Sequence, residues 1–278
     1  MNPRAGMLER ELDEAAKLAR EAGKILLEIY ATDFAVRMKG RADPVTEADT
    51  RANALLVREL RARFPEDGVV AEETVDKSDG LRAGRCWYVD PLDGTKEFIA
   101  KNGEFSVMLG LAIDGAAVLG VVYRPVGDRL YAGVVGEGAF MVEGGVTTPL
   151  RTTDEADPAK LRLIVSRSHR SAQMDTLKQT LGISSERPSG SVGLKVGLIA
   201  RREADLYVHL SDKAGVWDTC GPEAILRAAG GRFTDLAGEA LRYEGSTRAG
   251  RGILACNAAA FDAVLPAVRA AARESGLL

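Results

Sequence analysis

One stretch constrains this chain more than any other: Trp87-Tyr88-Val89-Asp90-Pro91-Leu92-Asp93-Gly94-Thr95-Lys96-Glu97-Phe98. Cys86 to Val89 is a short apolar run of strand type. Pro91 then breaks it, because proline donates nothing to a sheet ladder and biases Asp90 toward an extended backbone. Asp93-Gly94-Thr95 leads into the start of a helix. A strand that must turn at once into a helix brings its two carboxylates, Asp90 and Asp93, toward one point in space. Like charges held together in a half-buried place repel unless a cation or a proton is shared between them. Hard oxygen ligands of this kind suit Mg²⁺, which takes a few carboxylates and completes its shell with water and substrate phosphate. The backbone N–H groups of Gly94, Thr95 and Lys96 would form an anion site beside them. A cation site next to a phosphate site points to metal-assisted phosphoryl chemistry. The same residues also read as a plain turn, since Asp-Gly is a common turn pair and Asp or Thr a common N-cap. The rest of the chain decides between the two.

At 278 residues the chain can bury a large core, in one domain or two lobes. Its composition is that of an ordinary soluble globular protein. A net charge of −3 argues against a broad nucleic-acid or anionic-membrane footprint, so an anionic substrate has to be met by local cations. Cys86, Cys220 and Cys256 are widely spaced, odd in number and without a Cys-x-x-Cys pair. They read as reduced core residues of a cytoplasmic protein. The segment from Arg4 to Arg20 is charged and carries no apolar signal sequence. The window Val107 to Val126 is apolar enough for a membrane span, but Asp114-Gly115 in its middle predicts two strands joined by a tight turn. No transmembrane segment is expected.

Along the chain, Leu8, Leu12, Ala15, Ala16, Ala19, Ala22, Gly23 and Leu26 recur at helical spacing and predict an amphipathic helix from Leu8 to Tyr30. Thr46 and Asp49 have the spacing of a capping box, opening a helix that runs to Phe64. Val69 to Ala71 reads as a strand ending in Glu72-Glu73, which alone would be a solvated acidic pair. From Phe105 to Leu150 the pattern predicts an antiparallel meander with one face for the core: Ser106 to Ile113, Ala116 to Arg124, Arg129 to Val135 and Ala139 to Glu143. The second half alternates strands (Leu161 to Val165, Asp205 to Leu210, Gly252 to Cys256) with helices (Ser171 to Leu181, Ser191 to Arg201, Trp217 to Ala229, Asn257 to Arg273). That alternation implies a partly parallel, helix-covered sheet. Asp218 sits where an N-cap would, with Pro222 in the first turn. Gly136-Glu137-Gly138 lacks the third glycine of a dinucleotide fingerprint, and no P-loop occurs.

Asp90-Pro91-Leu92-Asp93-Gly94-Thr95 resembles the Asp-Pro-(Ile/Leu)-Asp-Gly-Thr signature of the lithium-sensitive, Mg²⁺-dependent phosphatase superfamily that contains the inositol monophosphatases and the 3'(2'),5'-bisphosphate nucleotidases. Three further segments agree, in order. Val45-Thr46-x-x-Asp49 matches an upstream motif whose aspartate supports the threonine of Asp-Gly-Thr. Ala71-Glu72-Glu73 is similar to Gly-Glu-Glu, with a small departure at Ala71. Trp217-Asp218-x-x-x-Pro222-Glu223 resembles the second signature. The resemblance implies an α/β (α+β) fold, the layered α/β/α/β/α sandwich of the sugar phosphatases. Residues 1–150 would carry the meander with the metal and phosphate motifs, and 151–278 the mixed sheet, substrate segments and last metal ligand. It also implies two or three Mg²⁺ ions per site. Glu72, Asp90 and the Leu92 carbonyl would hold the first, and Asp90, Asp93 and Asp218 the second. Asp49, Glu72 and Thr95 would handle the attacking water, and the Gly94 and Thr95 amides the phosphate.

Three features bear on substrate. Gly94-Thr95-Lys96-Glu97-Phe98 followed by Asn102-Gly103-Glu104-Phe105-Ser106 is similar to the bisphosphate nucleotidases. Ser166-Arg167-Ser168-His169 also looks like that group, where Ser166 and His169 would touch the nucleotide. Ser191 and Lys195, opening a helix behind Gly190, would seat a second phosphate. Two have plain structural alternatives: a helix-capping loop for Ser166 to His169 and a solvated helix residue for Lys195. The resulting expectation is hydrolysis of adenosine 3',5'-bisphosphate to AMP and phosphate. An inositol or sugar monophosphatase is the enzymatic alternative, and an inactive phosphate-binding protein the third. The expected partner is a small phosphorylated molecule, with no nucleic-acid polymer and no membrane, in a monomer or homodimer.

Overall fold

The first helix follows from its apolar rows. α1 (Glu9–Tyr30) buries Ala15, Leu18, Ala19, Ala22, Gly23, Leu26 and Ile29 along one face. The computed structural model describes residues 6, 8–40, 43–78, 80–167 and 172–278. A short antiparallel hairpin, β1 (Val36–Gly40) and β2 (Asp43–Thr46), leads into α2 (Glu47–Arg63). The capping box expected there is present: Asp49 Oδ2 accepts from the Thr46 N–H at 2.7 Å, and Thr46 Oγ1 accepts from the Ala48 N–H at 3.2 Å.

Seven strands follow, with one short helix among them. They are β3 (Gly68–Ala71), β4 (Arg85–Asp93), β5 (Ser106–Ile113), β6 (Ala116–Arg124), β7 (Arg129–Val134), β8 (Gly138–Glu143) and β9 (Val146–Leu150). They form one sheet in chain order, parallel between β3 and β4 and antiparallel elsewhere. α3 (Thr95–Ile99) sits between β4 and β5. The second sheet contains β10 (Arg162–Ser166), β11 (Ser185–Ser189), β12 (Leu206–His209), β13 (Gly231–Thr234) and β14 (Ile253–Asn257), in the order β11-β10-β12-β14-β13. Its helices are α4 (Ala172–Thr180), α5 (Val192–Ala200), α6 (Val216–Ala228) and α7 (Phe261–Glu274). α1 and α2 cover one face of the first sheet, and α5 and α6 lie between the two sheets. α4 and α7 cover the far face of the second. The layers therefore alternate α/β/α/β/α, as expected.

Four details differ from the sequence reading. Strands β5 to β7 of the meander are buried on both faces, with β5 buried along all but its last residue, so their near-continuous apolar run reflects two covering helical layers and not a membrane. Among the described residues no helix is long and apolar enough to cross a membrane. β4 continues through Pro91 to Asp93 by means of a bulge. β9, β11 and β13 are additional strands. α6 begins at Val216, so Asp218 is its third residue and not its N-cap, and Pro222 lies in its interior. The three cysteines are buried and unpaired, as expected, and burial pushes the Cys86 and Cys256 thiols up to about 12.

The approach of α6 to the first sheet is unusually close and sets the site geometry. A β-carbon on Gly110 would lie 2.3 Å from the Gly221 nitrogen, and one on Gly120 would lie 2.0 Å from the Gly221 oxygen. One on Gly221 would lie 2.6 Å from the Leu109 oxygen. Three glycines thus let helix backbone rest on strand backbone. Asp218, one turn before Gly221, is carried down with it.

Candidate active site

The site begins with the bulge in β4. Asp90 lies opposite Met108 and Asp93 opposite Ser106, so Pro91 and Leu92 together face Val107. The extra residue falls where proline has no N–H to give the ladder. The Leu92 N–H turns back onto Asp90 Oδ1 at 2.9 Å. Gly94 then takes φ +96°, and a β-carbon there would lie 3.0 Å from the Glu104 carbonyl oxygen. Only glycine meets both conditions without strain. Thr95 opens α3 with its Oγ1 3.2 Å from Asp49 Oδ1 and 3.2 Å from the Leu92 carbonyl.

Other elements bring the remaining carboxylates. The parallel pairing of β3 with β4 sets Ala71 beside Val89, and the Glu72 N–H continues it to the Val89 carbonyl at 3.0 Å. Glu72 therefore leaves β3 next to Asp90. α6 delivers Asp218, whose Oδ2 accepts from the Gly215 N–H at 2.7 Å. Burial pushes the Asp90 carboxyl well above its ordinary value, and the charges of Glu72, Asp93 and Asp218 push it further. Burial also raises Asp218, with Glu72 and Asp93 adding to it and the Gly215 N–H acting the other way. Asp93 is raised by burial, while Lys195, Ser191 and Gly193 pull it down. Glu72, Asp90, Asp93 and Asp218 thus share one electrostatic neighbourhood. Among the described residues no three His, Cys, Asp or Glu side chains are close enough to make a finished ligand cage. The shared field of the four carboxylates, and not a fixed coordination geometry, is what the fold provides. Every donor is a hard oxygen, with no thiolate or imidazole among them, and such a set fits Mg²⁺.

Asp49 serves two elements at once. Its Oδ2 takes the Thr46 N–H and hydroxyl, each at 2.7 Å, while Oδ1 faces Thr95. Burial pushes its carboxyl up against the two Thr46 bonds that lower it. Asp49→Asn keeps this shape but removes the basic oxygen facing Thr95. It is expected to lower kcat about a hundredfold with little change in KM, as steady-state assays would show. An unchanged kcat would reduce Asp49 to a helix cap.

The substrate segments are placed less simply. Ser166 ends β10, paired with Ser189. His169 lies outside the described residues. Ser191 and Lys195, expected to seat a second phosphate, lie at the start of α5. They are 4% and 3% exposed, and both are bonded within the chain. Ser191 Oγ donates to Asp93 Oδ2 at 2.6 Å, and Lys195 Nζ donates to the Ser191 carbonyl at 3.0 Å. Sequence reasoning assigned no role to Glu104. Its carboxylate accepts from Arg167 Nε and Nη2 at 3.0 and 2.8 Å and from the Gly190 N–H at 2.7 Å. That joins the turn after α3 to the end of β10 and the start of α5. Its only sequence signal is the Asn-Gly-Glu-Phe-Ser string, which gives no hint of partners so far along the chain.

Known proteins resemble this chain in sequence and in fold. The profile of the inositol monophosphatase family matches residues 7–273. Over 237 residues the chain is 36% identical to the 3'(2'),5'-bisphosphate nucleotidase CysQ of Escherichia coli (strain K12), spanning 84% of this chain and 93% of that protein. It is 30% identical over 273 residues to inositol monophosphatase 3 of Solanum lycopersicum, spanning 95% and 98% of the two chains. The crystal structure of CysQ from Bacteroides thetaiotaomicron superposes with a TM-score of 0.75 at 30% identity, covering 90% of this chain and 97% of that one. The chain belongs to the inositol monophosphatase family of phosphatases.

Proposed function

We propose that this chain is a Mg²⁺-dependent phosphatase that removes the 3'-phosphate of adenosine 3',5'-bisphosphate, leaving AMP and phosphate. The observation that carries the reading is the buried Asp90 carboxyl, crowded by the charges of Glu72, Asp93 and Asp218 beside the Gly94–Thr95 turn. The similarity to a bisphosphate nucleotidase at 36% identity supports the choice of substrate. Glu72, Asp90, the Leu92 carbonyl, Asp93 and Asp218 would hold the metal, two or three ions per site. When bound, Mg²⁺ lowers the pKa of its water, orients the phosphoryl group and stabilises the leaving oxygen.

The chain's own groups supply the rest. The Gly94 and Thr95 N–H groups bind phosphoryl oxygens. The Thr95 hydroxyl, set between Asp49 and the Leu92 carbonyl, orients the attacking water. Asp49, its carboxyl raised by burial, is the better proton acceptor for that shift, and Glu72 stands as a second acceptor. Ser166, at the end of β10, would border the nucleoside. An inositol or sugar monophosphatase is the second reading, favoured by the plant relative that spans 95% of the chain.

Phosphate release from adenosine 3',5'-bisphosphate and from inositol 1-phosphate separates the two. We expect Mg²⁺-dependent release with kcat/KM at least about tenfold higher for the bisphosphate, since one well-made charged contact is worth roughly that much. The opposite ratio would move the assignment to the monophosphatase. No Mg²⁺-dependent release from a wider panel of phosphates would leave a phosphate-binding protein.

A further inference from the structure

We propose that Glu104 and Arg167 are positioning residues that set a preference for substrates with two phosphates, by pinning the end of β10 to the start of α5 beside the Gly94–Thr95 turn. The inference rests on the reading of the substrate as adenosine 3',5'-bisphosphate. Glu104 lies where three segments of the site meet. A β-carbon on Gly94 would lie 3.0 Å from its carbonyl oxygen, and one on Gly190 would lie 2.6 Å from the same atom. Its backbone thus touches both the turn that would bind the reacting phosphate and the residue before Ser191. Its side chain adds the third segment, accepting from Arg167 Nε and Nη2 at 3.0 and 2.8 Å and from the Gly190 N–H at 2.7 Å. Arg167 directly follows Ser166, and its own N–H donates to the Ser189 carbonyl at 3.2 Å.

The turn that carries Glu104 is itself braced. The Glu104 N–H donates to Asn102 Oδ1 at 3.0 Å, and Arg124 Nε donates to the Gly103 carbonyl at 3.1 Å. Burial pushes the Glu104 carboxyl up, but Arg167 and the Gly190 N–H outweigh it and hold the group below its ordinary value. The Arg167 and Glu104 side chains are 41% and 25% exposed, so the pair contributes little to overall stability. Its forked geometry is directional, and what it fixes is position. A bisphosphate has to meet the Gly94–Thr95 turn, Ser166 and the start of α5 at once. Segments that must be ordered during binding subtract from affinity, and segments already pinned do not. Arg167 also cancels the Glu104 charge, which if unpaired would repel a phosphate on α5. A small monophosphate held at the Gly94–Thr95 turn draws on none of this.

Steady-state kinetics of the full chain with adenosine 3',5'-bisphosphate and with inositol 1-phosphate, alongside thermal unfolding, test the proposal. Glu104→Ala and Arg167→Met are each expected to raise KM for the bisphosphate about tenfold, with kcat within about twofold of the parent. Both parameters for inositol 1-phosphate should stay near parental, as should the unfolding temperature. The double variant should be no worse than Arg167→Met alone, because both changes break one pair and the second removes the unpaired carboxylate. A loss in Arg167→Met with none in Glu104→Ala would make Arg167 a direct contact of the substrate and overturn the pinning role. An equal fall on both substrates, with a lower unfolding temperature, would reduce the pair to structural support. The parent enzyme separates this proposal from the reading beneath it. If the parent prefers the bisphosphate and the variants keep that preference, only the positioning role fails. If the parent prefers inositol 1-phosphate, the substrate reading fails and the proposal fails with it.

Discussion

Asp90→Asn is expected to lower kcat/KM by about a thousandfold or more, because it removes charge where the field of the site is most concentrated. Asp90 feels Glu72, Asp93 and Asp218 together, and it is buried at 2% exposure. Asparagine keeps the shape and can still accept the Leu92 N–H that now bonds Oδ1 at 2.9 Å. The loss would therefore report charge and not folding. Electrostatic groups aimed at a reacting centre in a water-poor site are worth several kcal/mol, and a ligand carboxylate carries such a share. The metal-free variant should be no less stable than the parent, and more stable if the crowded carboxylates repel as the geometry implies. Steady-state assays across Mg²⁺ concentrations and thermal unfolding in chelator measure both. An Asp90→Asn enzyme with near-parental turnover in chelator would rule out the mechanism.

Gly120→Ala is expected to be the most damaging single methyl group in the first sheet. Alanine is the better residue in a strand interior by roughly 0.5–1 kcal/mol, since glycine loses more freedom on folding. Against that stands a β-carbon 2.0 Å from the Gly221 carbonyl oxygen, and backbone cannot swing aside as a flexible side chain could. Forced overpacking of this kind costs about 1–3 kcal/mol or more, so the steric term wins. The unfolding temperature should drop by about 2–4 °C for each kcal/mol lost. The larger effect falls on function, because relief requires α6 to rise from the sheet and Asp218 rises with it. Mg²⁺ activation should then demand higher concentrations than in the parent. A variant with parental stability and parental Mg²⁺ response would mean that α6 does not rest on β6 as described.

Much of the fold was legible in the sequence, and the misses have physical reasons. α1, α2, β5 and β6 carry strong periodicity or a sharp turn between them, and their limits agree with the pattern to within a residue. β9 and β11 are edge strands, largely exposed and rich in Thr, Ser, Glu and Pro, so they show no apolar alternation to read. β13 is four residues long and opens on the Gly230-Gly231 pair. The start of α6 was misplaced because an aspartate near a helix start has the same composition signal at the N-cap as at the third position, where its side chain reaches back to the Gly215 N–H. Of the site, the carboxylates were readable because their spacing is local or motif-bound. The inward turn of Ser191 and Lys195 was not, because it depends on Asp93 and Tyr207, residues that no sequence window places beside them. The glycine stack of Gly110, Gly120 and Gly221 was hidden for the same reason.

The central claim is that three segments, the end of β3, β4 and the start of α6, bring Glu72, Asp90, Asp93 and Asp218 together to hold divalent cations beside the Gly94–Thr95 turn. Crystals grown with Mn²⁺ and inorganic phosphate, measured at the manganese absorption edge, test it most directly. The account predicts anomalous peaks about 2.0–2.3 Å from carboxylate oxygens of Asp90 and at least two of its three partners, with phosphate against the Gly94 and Thr95 N–H groups. Manganese peaks only elsewhere, with the four carboxylates bare under saturating Mn²⁺, would contradict it.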